Sequence, residues 1–441
     1  MINTRQDNDY WDPQRKGFVT NYPNFMQWSH LDAEEMGDQG PLNIYLHSPY
    51  CIQRCSYCYY KTINLRGKDK GKRMAEYIDR MCREIEMASQ YYNLKGRHIN
   101  SIYFGGGTPS LLDEPLLEQV FRTLHDNLTI DKPEICIEAE PVTMTKRKAA
   151  KLIELGATRI SMGVQSFDND IIKGSHRLDD EKKAVRAIEI AKNTGAVINI
   201  DLMSGLAGET PATWKHSVGT AINLGIQSIS VYKTEIYTNT DYYRGLRKGT
   251  IDLPSDEQEL DYMAYAMDEL EAAGYEPWCF YTFTKGGEDV HLHSPSVFRG
   301  DDIYSFGVSA FGRLNNYVFQ NSNNENRYMK MIDEGRLPVH RGHYLTSRDQ
   351  MIRDVVLTMK LVSLNLNDFE RKYGFRLEAL APQSMNELVD GGYINVSDSE
   401  IRLTRKGILH GDFSGKTIAR ELMNIHTENQ SAPQVIPLSV G

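Results

Sequence analysis

Residues 99–140 read INSIYFGGGTPSLLDEPLLEQVFRTLHDNLTIDKPEICIEAE, and this stretch decides the fold. It begins with an apolar strand, predicted over 99–104, which three glycines bring to an end. Asp113 can cap a helix predicted over 114–127. A second strand, predicted over 134–140, completes a βαβ unit, and the two strands of such a unit are parallel.

The same alternation of strand and helix continues on both sides of this unit. Apolar strands are predicted at 43–47, 159–165, 197–203 and 228–233, and helices at 72–91, 146–155, 180–194 and 210–224. Six strands in this order predict an α/β fold with a parallel sheet that curls into an open barrel or a doubly wound layer. In both architectures the ligand site lies at the carboxyl ends of the strands.

The pattern changes from about residue 346. A helix predicted over 348–362 is followed by short helices and by LVDGGYINVSDSEIRLTRKG, which is typical of the helix, strand, turn and strand of a winged-helix module. Such a module could bind nucleic acid or could pack over the substrate, and its few basic residues favour packing. We expect an N-terminal segment (1–40) that covers the site, a barrel (41–315), this C-terminal domain (316–426) and a flexible tail (427–441).

Composition excludes several classes of protein. The chain has 441 residues and a formal net charge of −9, which argues against a general nucleic-acid binder. It has no apolar run of about 18 residues and no apolar signal core near its start, so we expect a cytoplasmic protein without membrane contact. Six cysteines are too few for a disulfide scaffold in a chain of this length.

Three of the cysteines, Cys51, Cys55 and Cys58, share the short segment HSPYCIQRCSYCYY, and residues 51–58 are called the cysteine loop below. A structural zinc ion normally takes four closed ligands, often from two distant CxxC pairs, and there is no second pair here. Three cysteines in a CxxxCxxC loop suit a [4Fe–4S] cluster that has one iron open to a ligand. The other cysteines, Cys82, Cys136 and Cys279, are expected in the core.

This spacing, together with motifs along the barrel, resembles the radical S-adenosylmethionine (SAM) superfamily, and within it the HemN-like family of oxygen-independent coproporphyrinogen III oxidases. The matching motifs are TNYP at 20–23, GGGTP at 105–109, IEAEP at 137–141, SMGVQSF at 161–167 and NIDLMSGL at 199–206. The resemblance covers residues 15–425. It implies a (β/α)6 partial barrel with a smaller C-terminal domain, a [4Fe–4S] cluster held by the three cysteines, and two bound SAM molecules.

The resemblance also implies the cofactor-binding residues. It places the first SAM against Tyr45, Gly106 and Glu138. It places the second SAM against Gly107, Thr108, Gln165, Arg177 and Asp201, and it adds Tyr57 and Phe311 as further cofactor-binding residues. Without the resemblance, Tyr45 would be interpreted as an ordinary aromatic residue of a strand. The three glycines would be interpreted as a strand-to-loop turn, and Arg177 as a member of a solvated charge cluster.

Two departures from the oxidase pattern are expected to bear on catalysis. Tyr60 stands where the oxidase has a fourth cysteine, and Glu235 stands where the family has a small residue near the second SAM. A carboxylate at 235 could act as a base or bind a cationic group, and it is a poor neighbour for a porphyrinogen that carries several carboxylates. Its alternative role is a pair with Lys233 or with an arginine at the barrel rim.

Three functions remain open, in the order in which the sequence favours them. The first is a class C radical SAM methyltransferase or cyclopropanase, which would transfer a methylene group from the second SAM to an sp2 carbon of a small molecule. The second is a coproporphyrinogen oxidase or another porphyrin-acting relative such as an anaerobilin synthase, and the third is a heme chaperone. For the enzymes we expect a monomer that takes electrons from a flavodoxin or a ferredoxin.

Overall fold

The computed structural model describes Trp11 and residues 18–31, 40–65, 69–286 and 291–425. Over these residues the strands are β1 (Leu42–Ser48), β2 (Tyr50–Cys51), β3 (Ile63–Asn64), β4 (Ile99–Gly106), β5 (Glu134–Ala139), β6 (Arg159–Gln165), β7 (Val197–Ser204), β8 (Ser228–Lys233), β9 (Tyr275–Cys279), β10 (Thr282–Lys285), β11 (Asp302–Phe306), β12 (Phe311–Leu314), β13 (Tyr317–Asn321), β14 (Val339–Tyr344), β15 (Ser363–Asn365), β16 (Ile394–Val396) and β17 (Glu400–Leu403).

The helices alternate with the strands in the first half of the chain and dominate its last quarter. They are α1 (Lys70–Tyr91), α2 (Glu114–Asn127), α3 (Lys146–Glu154), α4 (Asn169–Gly174), α5 (Glu181–Lys192), α6 (Pro211–Asn223), α7 (Asp241–Lys248), α8 (Asp256–Ala272), α9 (His293–Arg299), α10 (Glu325–Asp333), α11 (Ser347–Thr358), α12 (Leu366–Tyr373), α13 (Leu377–Leu380), α14 (Pro382–Asp390), α15 (Arg405–Leu409) and α16 (Phe413–Asn424).

One twelve-stranded sheet forms the centre of the molecule, with the order β14-β13-β12-β11-β1-β4-β5-β6-β7-β8-β10-β9. The six predicted strands are confirmed as parallel neighbours, from β1 through β4, β5, β6 and β7 to β8. A seventh parallel strand, β11, pairs with the outer side of β1. The order places β14 and β9 at opposite edges, so the barrel is open, as predicted.

The sequence explains why these segments become buried parallel strands. Helices on one side and the barrel interior on the other cover both faces, so the strands carry nearly continuous apolar runs. In β7, for example, five of the eight residues from Val197 to Ser204 are buried. The helices then pack one apolar face on the sheet, as α1 does with Tyr77, Ile78 and Met81.

The N-terminal caps of α8 and α2 differ in whether a side chain of the cap residue forms a hydrogen bond. The sequence Ser255-x-x-Gln258 predicts a capping box, and the two residues form it at the start of α8 with hydrogen bonds of 2.9 and 3.2 Å. Asp113 occupies the N-cap position of α2, but its side chain makes no cap hydrogen bond there. The predicted cap is therefore wrong in its chemistry, although Glu114 and a proline still begin the helix.

The C-terminal part contains the predicted winged-helix elements. A three-stranded antiparallel sheet, β15-β17-β16, packs with α12 and α14, and α14 in turn contacts α16. The large sheet ends at Tyr344, beyond residue 315 where we expected it to end, because β13 and β14 extend it. Of the N-terminal segment, only Trp11 and residues 18–31 and 40 are described, and the tail from 427 lies outside the described residues.

Candidate active site at the carboxyl ends of the strands

Predicted site residues come from six neighbouring parallel strands and lie between the middle of each strand and a point just beyond its carboxyl end. Adjacent parallel strands end at the same edge of a sheet, so these positions surround a common space. They are Tyr45 on β1, Gly106 at the end of β4, Glu138 on β5, Gln165 at the end of β6, Asp201 on β7 and Glu235 two residues after β8.

Backbone hydrogen bonds hold the cysteine loop in place on both sides. Its first residue is the end of β2, and the carbonyl of Cys51 accepts from Leu65 N–H over 3.0 Å. In the middle of the loop, Ser56 N–H donates to the carbonyl of Ser175 and Ser56 O accepts from Tyr242 N–H, both over 3.1 Å. Segments that follow β3, β6 and β8 therefore shape the loop without a bound group.

The glycine turn after β4 touches this loop, and it needs glycine for steric reasons. At Gly107 a Cβ atom would lie 2.6 Å from Tyr50 O and 3.0 Å from Cys51 Sγ, so any side chain would collide with the loop. Gly106 has φ +111°, a conformation that favours glycine. Next to them, Thr108 Oγ1 lies 3.6 Å from Cys51 Sγ. An ordinary strand-to-loop turn would not require Gly107 and Thr108 to lie so close to Tyr50 and Cys51.

The three thiols are enclosed but chemically suited to iron. Burial raises the pKa of Cys51 to about 12 and that of Cys58 to about 11, and it also raises the pKa of Cys55. Cationic iron favours the thiolate form of cysteine and would offset this effect of burial. Among the described residues, no three His, Cys, Asp or Glu side chains could hold a single metal ion. A [4Fe–4S] cluster does not require that closeness, because each thiolate binds a different iron.

Arg177 connects the cysteine loop to the barrel. Its side chain is only 4% exposed, so the alternative of a solvated charge cluster is wrong. Nη1 lies 3.7 Å from Cys55 Sγ and donates to Tyr57 OH over 3.1 Å, while Nη2 donates to the carbonyl of Gly163 over 2.6 Å. Asp179 accepts from Nε over 3.0 Å. The guanidinium is thus held firmly beside the predicted second SAM site and the loop.

Glu138 is a half-buried carboxylate of the predicted first SAM site. Its Oε1 accepts from Tyr103 OH over 2.7 Å, and its Oε2 accepts from Gly106 N–H over 2.9 Å. Burial and the nearby charge of Asp201 raise its pKa, and the two hydrogen-bond donors lower it. The resulting pKa is about 7. Tyr45, also predicted in this site, stacks on Tyr103 with ring centroids 6.0 Å apart.

Asp201 is a second half-buried carboxylate inside the barrel. Burial raises its pKa to about 6, and Asn199 Nδ2 opposes this by donating to Oδ1 over 2.9 Å. On the neighbouring strand, Gln165 ends β6 in the left-handed region with φ +71°, which is unusual for a residue other than glycine. Such conformations occur more often at functional positions, and this one agrees with the predicted second SAM site.

Glu235 lies under the N-terminal segment. Its Oε1 accepts from Phe18 N–H and its Oε2 from Tyr237 OH, each over 2.5 Å. Burial raises the pKa of this carboxyl. Lys233 donates instead to the carbonyl of Leu409 over 2.8 Å, so the alternative pair of Glu235 with Lys233 is not formed.

Tyr60 belongs to an aromatic stack beside Glu235. Tyr59 stacks on Tyr60 with ring centroids 4.4 Å apart and on Tyr237 with centroids 4.1 Å apart. Although Tyr60 is 54% exposed, the neighbouring Tyr59, burial of the hydroxyl and the charge of Glu138 raise its pKa well above the usual value. Tyr60 is thus close enough to Glu138 for that carboxylate to influence its pKa.

Phe311 lies apart from the cysteine loop in the described contacts. It begins β12, and its ring stacks on Phe25 with centroids 5.0 Å apart and meets Trp28 edge-on at 6.1 Å. Its carbonyl accepts from Ser305, which pairs with Tyr45 across the sheet. The structure therefore brings Phe311 near the first strand, where its predicted role in cofactor binding stays a prediction.

Four supporting residues escaped the sequence analysis. Three of them lie two positions from a predicted residue and bind its side chain: Asp179 binds Arg177, Asn199 binds Asp201 and Tyr237 binds Glu235. Period-two alternation along a strand could have indicated Asn199. The fourth, Tyr103, lies opposite Tyr45 in the register of β1 and β4, which could not be read without the structure.

The pair His291 and His293 offers no second metal site. The spacing His291-x-His293 is suggestive of metal binding on a strand, whereas His293 begins α9. His291 Nδ1 lies 2.6 Å from a Glu134 oxygen, and His293 Nδ1 lies 2.8 Å from Ser101 Oγ. These contacts join α9 to the start of β5 and to β4, and burial lowers the pKa of His293 to about 3. Among the described residues no metal-binding group includes them.

Comparison with known proteins agrees with this geometry. The sequence profile of the radical SAM superfamily matches residues 45–221. The heme chaperone HemW of Bacillus subtilis is 29% identical over 372 residues, which are 83% of this chain and 96% of that protein. The oxygen-independent coproporphyrinogen III oxidase of Pseudomonas aeruginosa is 28% identical over 83% of this chain and 82% of its own length. Over most of its length this chain is therefore similar to HemN-like radical SAM proteins.

Two further similarities concern the fold and a third type of relative. The solved coproporphyrinogen III oxidase HemN of Escherichia coli has the same fold, with a TM-score of 0.79 over 92% of this chain and 96% of that one, at 24% identity. The anaerobilin synthase of Escherichia coli O157:H7 is 27% identical over 67% of this chain and 66% of its own length. In the described part of the HemN-like chain, no helix has the length and apolar character to span a bilayer.

Proposed function

We propose that this HemN-like protein is an enzyme that cleaves SAM reductively and uses the radical to abstract a hydrogen atom from a substrate in the barrel. The observation that carries the proposal is the arrangement at the strand ends. The cysteine loop meets the glycine turn through Cys51, whose Sγ would lie 3.0 Å from a Cβ atom at Gly107. The half-buried carboxylates Glu138 and Asp201 are close enough for the charge of Asp201 to raise the pKa of Glu138. Carboxylates with shifted pKa values inside a barrel are typical of catalytic sites.

The chain's residues have separate parts in this reaction. When bound, a [4Fe–4S] cluster would supply the single electron for reductive cleavage of SAM at its C5′–S bond, which would yield methionine and the radical that takes the substrate hydrogen. Cys51, Cys55 and Cys58 would hold the irons. Glu138, already fixed by two donors, would accept from the ribose hydroxyls of the first SAM or lie near its sulfonium. The barrel walls would exclude water.

The relatives support a tetrapyrrole as the substrate better than any other compound. The three curated relatives named above are a heme chaperone, a coproporphyrinogen III oxidase and an anaerobilin synthase. We therefore place porphyrin-type chemistry first among the possible substrates. Two features speak against the oxidase reaction itself, namely Tyr60 in place of a fourth cysteine and the carboxylate of Glu235 at the barrel mouth.

Those same features favour a second candidate, transfer of a methylene group from a second SAM to an sp2 carbon, giving a methylated or cyclopropanated small molecule. Gln165, Arg177 and Asp201 occupy the positions expected for a second SAM. Glu235 would then be the base that takes a proton after radical addition, since burial raises its pKa towards neutrality. For either substrate we propose a monomer that receives electrons from a flavodoxin or a ferredoxin.

The product profile of the reconstituted protein tests the proposal. With SAM and dithionite under anaerobic conditions, we expect 5′-deoxyadenosine from the wild type and none from a Cys55→Ala control. Added coproporphyrinogen III that releases carbon dioxide would support oxidase chemistry. Formation of S-adenosylhomocysteine together with 5′-deoxyadenosine would support methylene transfer. Tight heme binding without 5′-deoxyadenosine would contradict the enzyme and indicate a chaperone.

A further inference from the structure

Cationic side chains gather on the outer face of the cysteine loop. Residues 51–61, 169–176 and 239–250 contain six Lys or Arg and two Asp, a net charge of +4 in a chain whose total is −9. All six cations except the half-buried Arg54 are exposed. They are Arg54, Lys61, Lys173, Arg244, Arg247 and Lys248, and this group is called the basic face.

Hydrogen bonds show that the three segments form one surface. Arg54 Nη2 donates to the carbonyl of Asn239 over 3.1 Å and to that of Cys58 over 3.0 Å, and Asn239 Nδ2 donates to Tyr59 O over 2.9 Å. On the other side, Gln53 Nε2 donates to the carbonyl of His176 over 2.6 Å. The loop is thus flanked by the end of α4 and the start of α7.

The geometry of α7 extends the basic face outward from the loop. Tyr242, in its first turn, is bound to the loop through Ser56. The helix has eight residues, so its last turn lies about 10 Å farther away. That turn carries Arg247 and Lys248, and Arg247 lies over the Tyr243 ring at 6.0 Å.

Apolar side chains lie within this charged surface. Ile52 is 39% exposed and Leu178 is 43% exposed, and each lies within two residues of the contact between Gln53 and His176. Charged rims around exposed apolar residues are typical of surfaces that bind another protein transiently.

We infer that the basic face is the docking surface for a small acidic protein that delivers electrons through the cysteine loop. This inference rests on the proposed function, because reductive cleavage of SAM consumes one electron per turnover that the chain itself does not contain. The donor would lose that electron and its flavin or iron–sulfur centre would be oxidised by one step. Transfer over short distances is fast, so docking directly over the thiols is the efficient arrangement. Opposite charge would steer the donor to this face of an otherwise acidic chain.

The test compares two double charge reversals with the same change in net charge. Arg247→Glu/Lys248→Glu alters the basic face, whereas the control Lys132→Glu/Lys285→Glu alters exposed residues at the opposite ends of the strands, before β5 and at the end of β10. The probe is an acidic flavodoxin in its oxidised state, and its Kd is measured by calorimetry at low and high salt.

For the wild type and the control we expect binding that weakens as salt rises. For Arg247→Glu/Lys248→Glu we expect binding roughly tenfold weaker or more at low salt, the range in which electrostatic steering acts. Equal affinity of the two double variants would overturn the inference. So would displacement of flavodoxin by a short RNA that binds more tightly, because the face would then recognise phosphate.

A second measurement separates this inference from the proposed function. Formation of 5′-deoxyadenosine driven by dithionite needs no docking, and we expect it unchanged in both double variants. Formation driven by reduced flavodoxin should fall only in Arg247→Glu/Lys248→Glu. Absence of dithionite-driven product in the wild type would contradict the proposed function, while an equal flavodoxin-driven rate in all three proteins would contradict the docking surface alone.

Discussion

The hydroxyl of Tyr103 donates to Glu138 Oε1 over 2.7 Å, and this bond joins the strand that leads into the glycine turn to the carboxylate of the predicted first SAM site. With Gly106 N–H on the other oxygen, it favours the ionised carboxylate. Burial and the charge of Asp201 act in the opposite direction, and the pKa of Glu138 lies at about 7. The carboxyl of Glu138 therefore changes between its neutral and its ionised form near neutral pH.

Replacing Tyr103 by Phe should raise the pKa of Glu138. Loss of a hydrogen bond to a charged group typically costs about 1.5–3 kcal/mol, which corresponds to a rise of roughly 1–2 units in the pKa of Glu138. We expect the pH at which SAM binding reaches half its maximum to rise in Tyr103→Phe, as measured by equilibrium dialysis across pH 6–9. The control is Tyr275→Phe, which removes a buried hydroxyl bound to the Ile226 carbonyl. An unchanged pH profile in Tyr103→Phe would show that this bond does not set the charge of Glu138.

Asp201→Asn should reveal whether a second SAM binds. The side chain keeps its shape but loses the charge that would face an ammonium group or ribose hydroxyls, and we expect SAM stoichiometry to fall from two per chain to one. Iron content should be unchanged, because no described contact joins Asp201 to the cysteine loop. A wild-type stoichiometry of one, in solution or in a crystal, would remove the basis for methylene transfer.

Glu235→Gln separates the two candidate reactions. If the carboxylate takes a proton after radical addition, the final product should fall by roughly 100-fold or more while 5′-deoxyadenosine still forms. Tyr237→Phe is the matched control, because it removes the hydroxyl bound to Glu235 but keeps the carboxylate. Loss of both products in parallel would mean that Glu235 only anchors Phe18 and the N-terminal segment.

Buried carboxyls also predict how stability depends on pH. Burial raises the pKa of Glu209 to about 8, and its Oε2 accepts from Gly205 N–H over 2.6 Å. A carboxyl whose pKa is higher in the folded than in the unfolded protein binds more protons when folded. Its contribution to the free energy of unfolding therefore falls as pH rises from about 4.5 to about 8.

Glu209→Gln removes this titration while keeping an oxygen that can accept from Gly205. We expect wild type and variant to have similar melting temperatures at pH 5, and the variant to be more stable at pH 8.5, by about 1 kcal/mol or more. Calorimetry at the two pH values measures the difference. Equal pH dependence in both proteins would mean that Glu209 titrates near its ordinary pKa when folded.

Much of the fold could be predicted from the sequence, because apolar strands and amphipathic helices are recognisable from the pattern of neighbouring residues. The six parallel strands and the capping box at Ser255 are examples. The seventh parallel strand, β11, could not be predicted, since its partner β1 lies some 260 residues earlier in the chain and only the tertiary fold brings them together.

The candidate site could also be predicted only in part. The cysteine loop and the glycine turn were readable as short motifs, and the structure places them in contact. The protein partners of the charged residues could not be predicted. Arg177 bonds Asp179, Tyr57 and the Gly163 carbonyl, so it is not solvated, and its contact with a ligand stays a prediction. Burial decides such pairings, and burial of a loop residue depends on what the rest of the chain packs over it.

The most direct test of the account is the iron and sulfide content of anaerobically reconstituted single variants. If the loop holds a [4Fe–4S] cluster through three thiolates, wild type should contain about four irons and four sulfides, and Cys51→Ala, Cys55→Ala and Cys58→Ala should each lose them. Cys279→Ala is the matched control, because Cys279 is also buried and its pKa is raised to about 11. A cluster retained in Cys55→Ala, or lost in Cys279→Ala, would contradict the account.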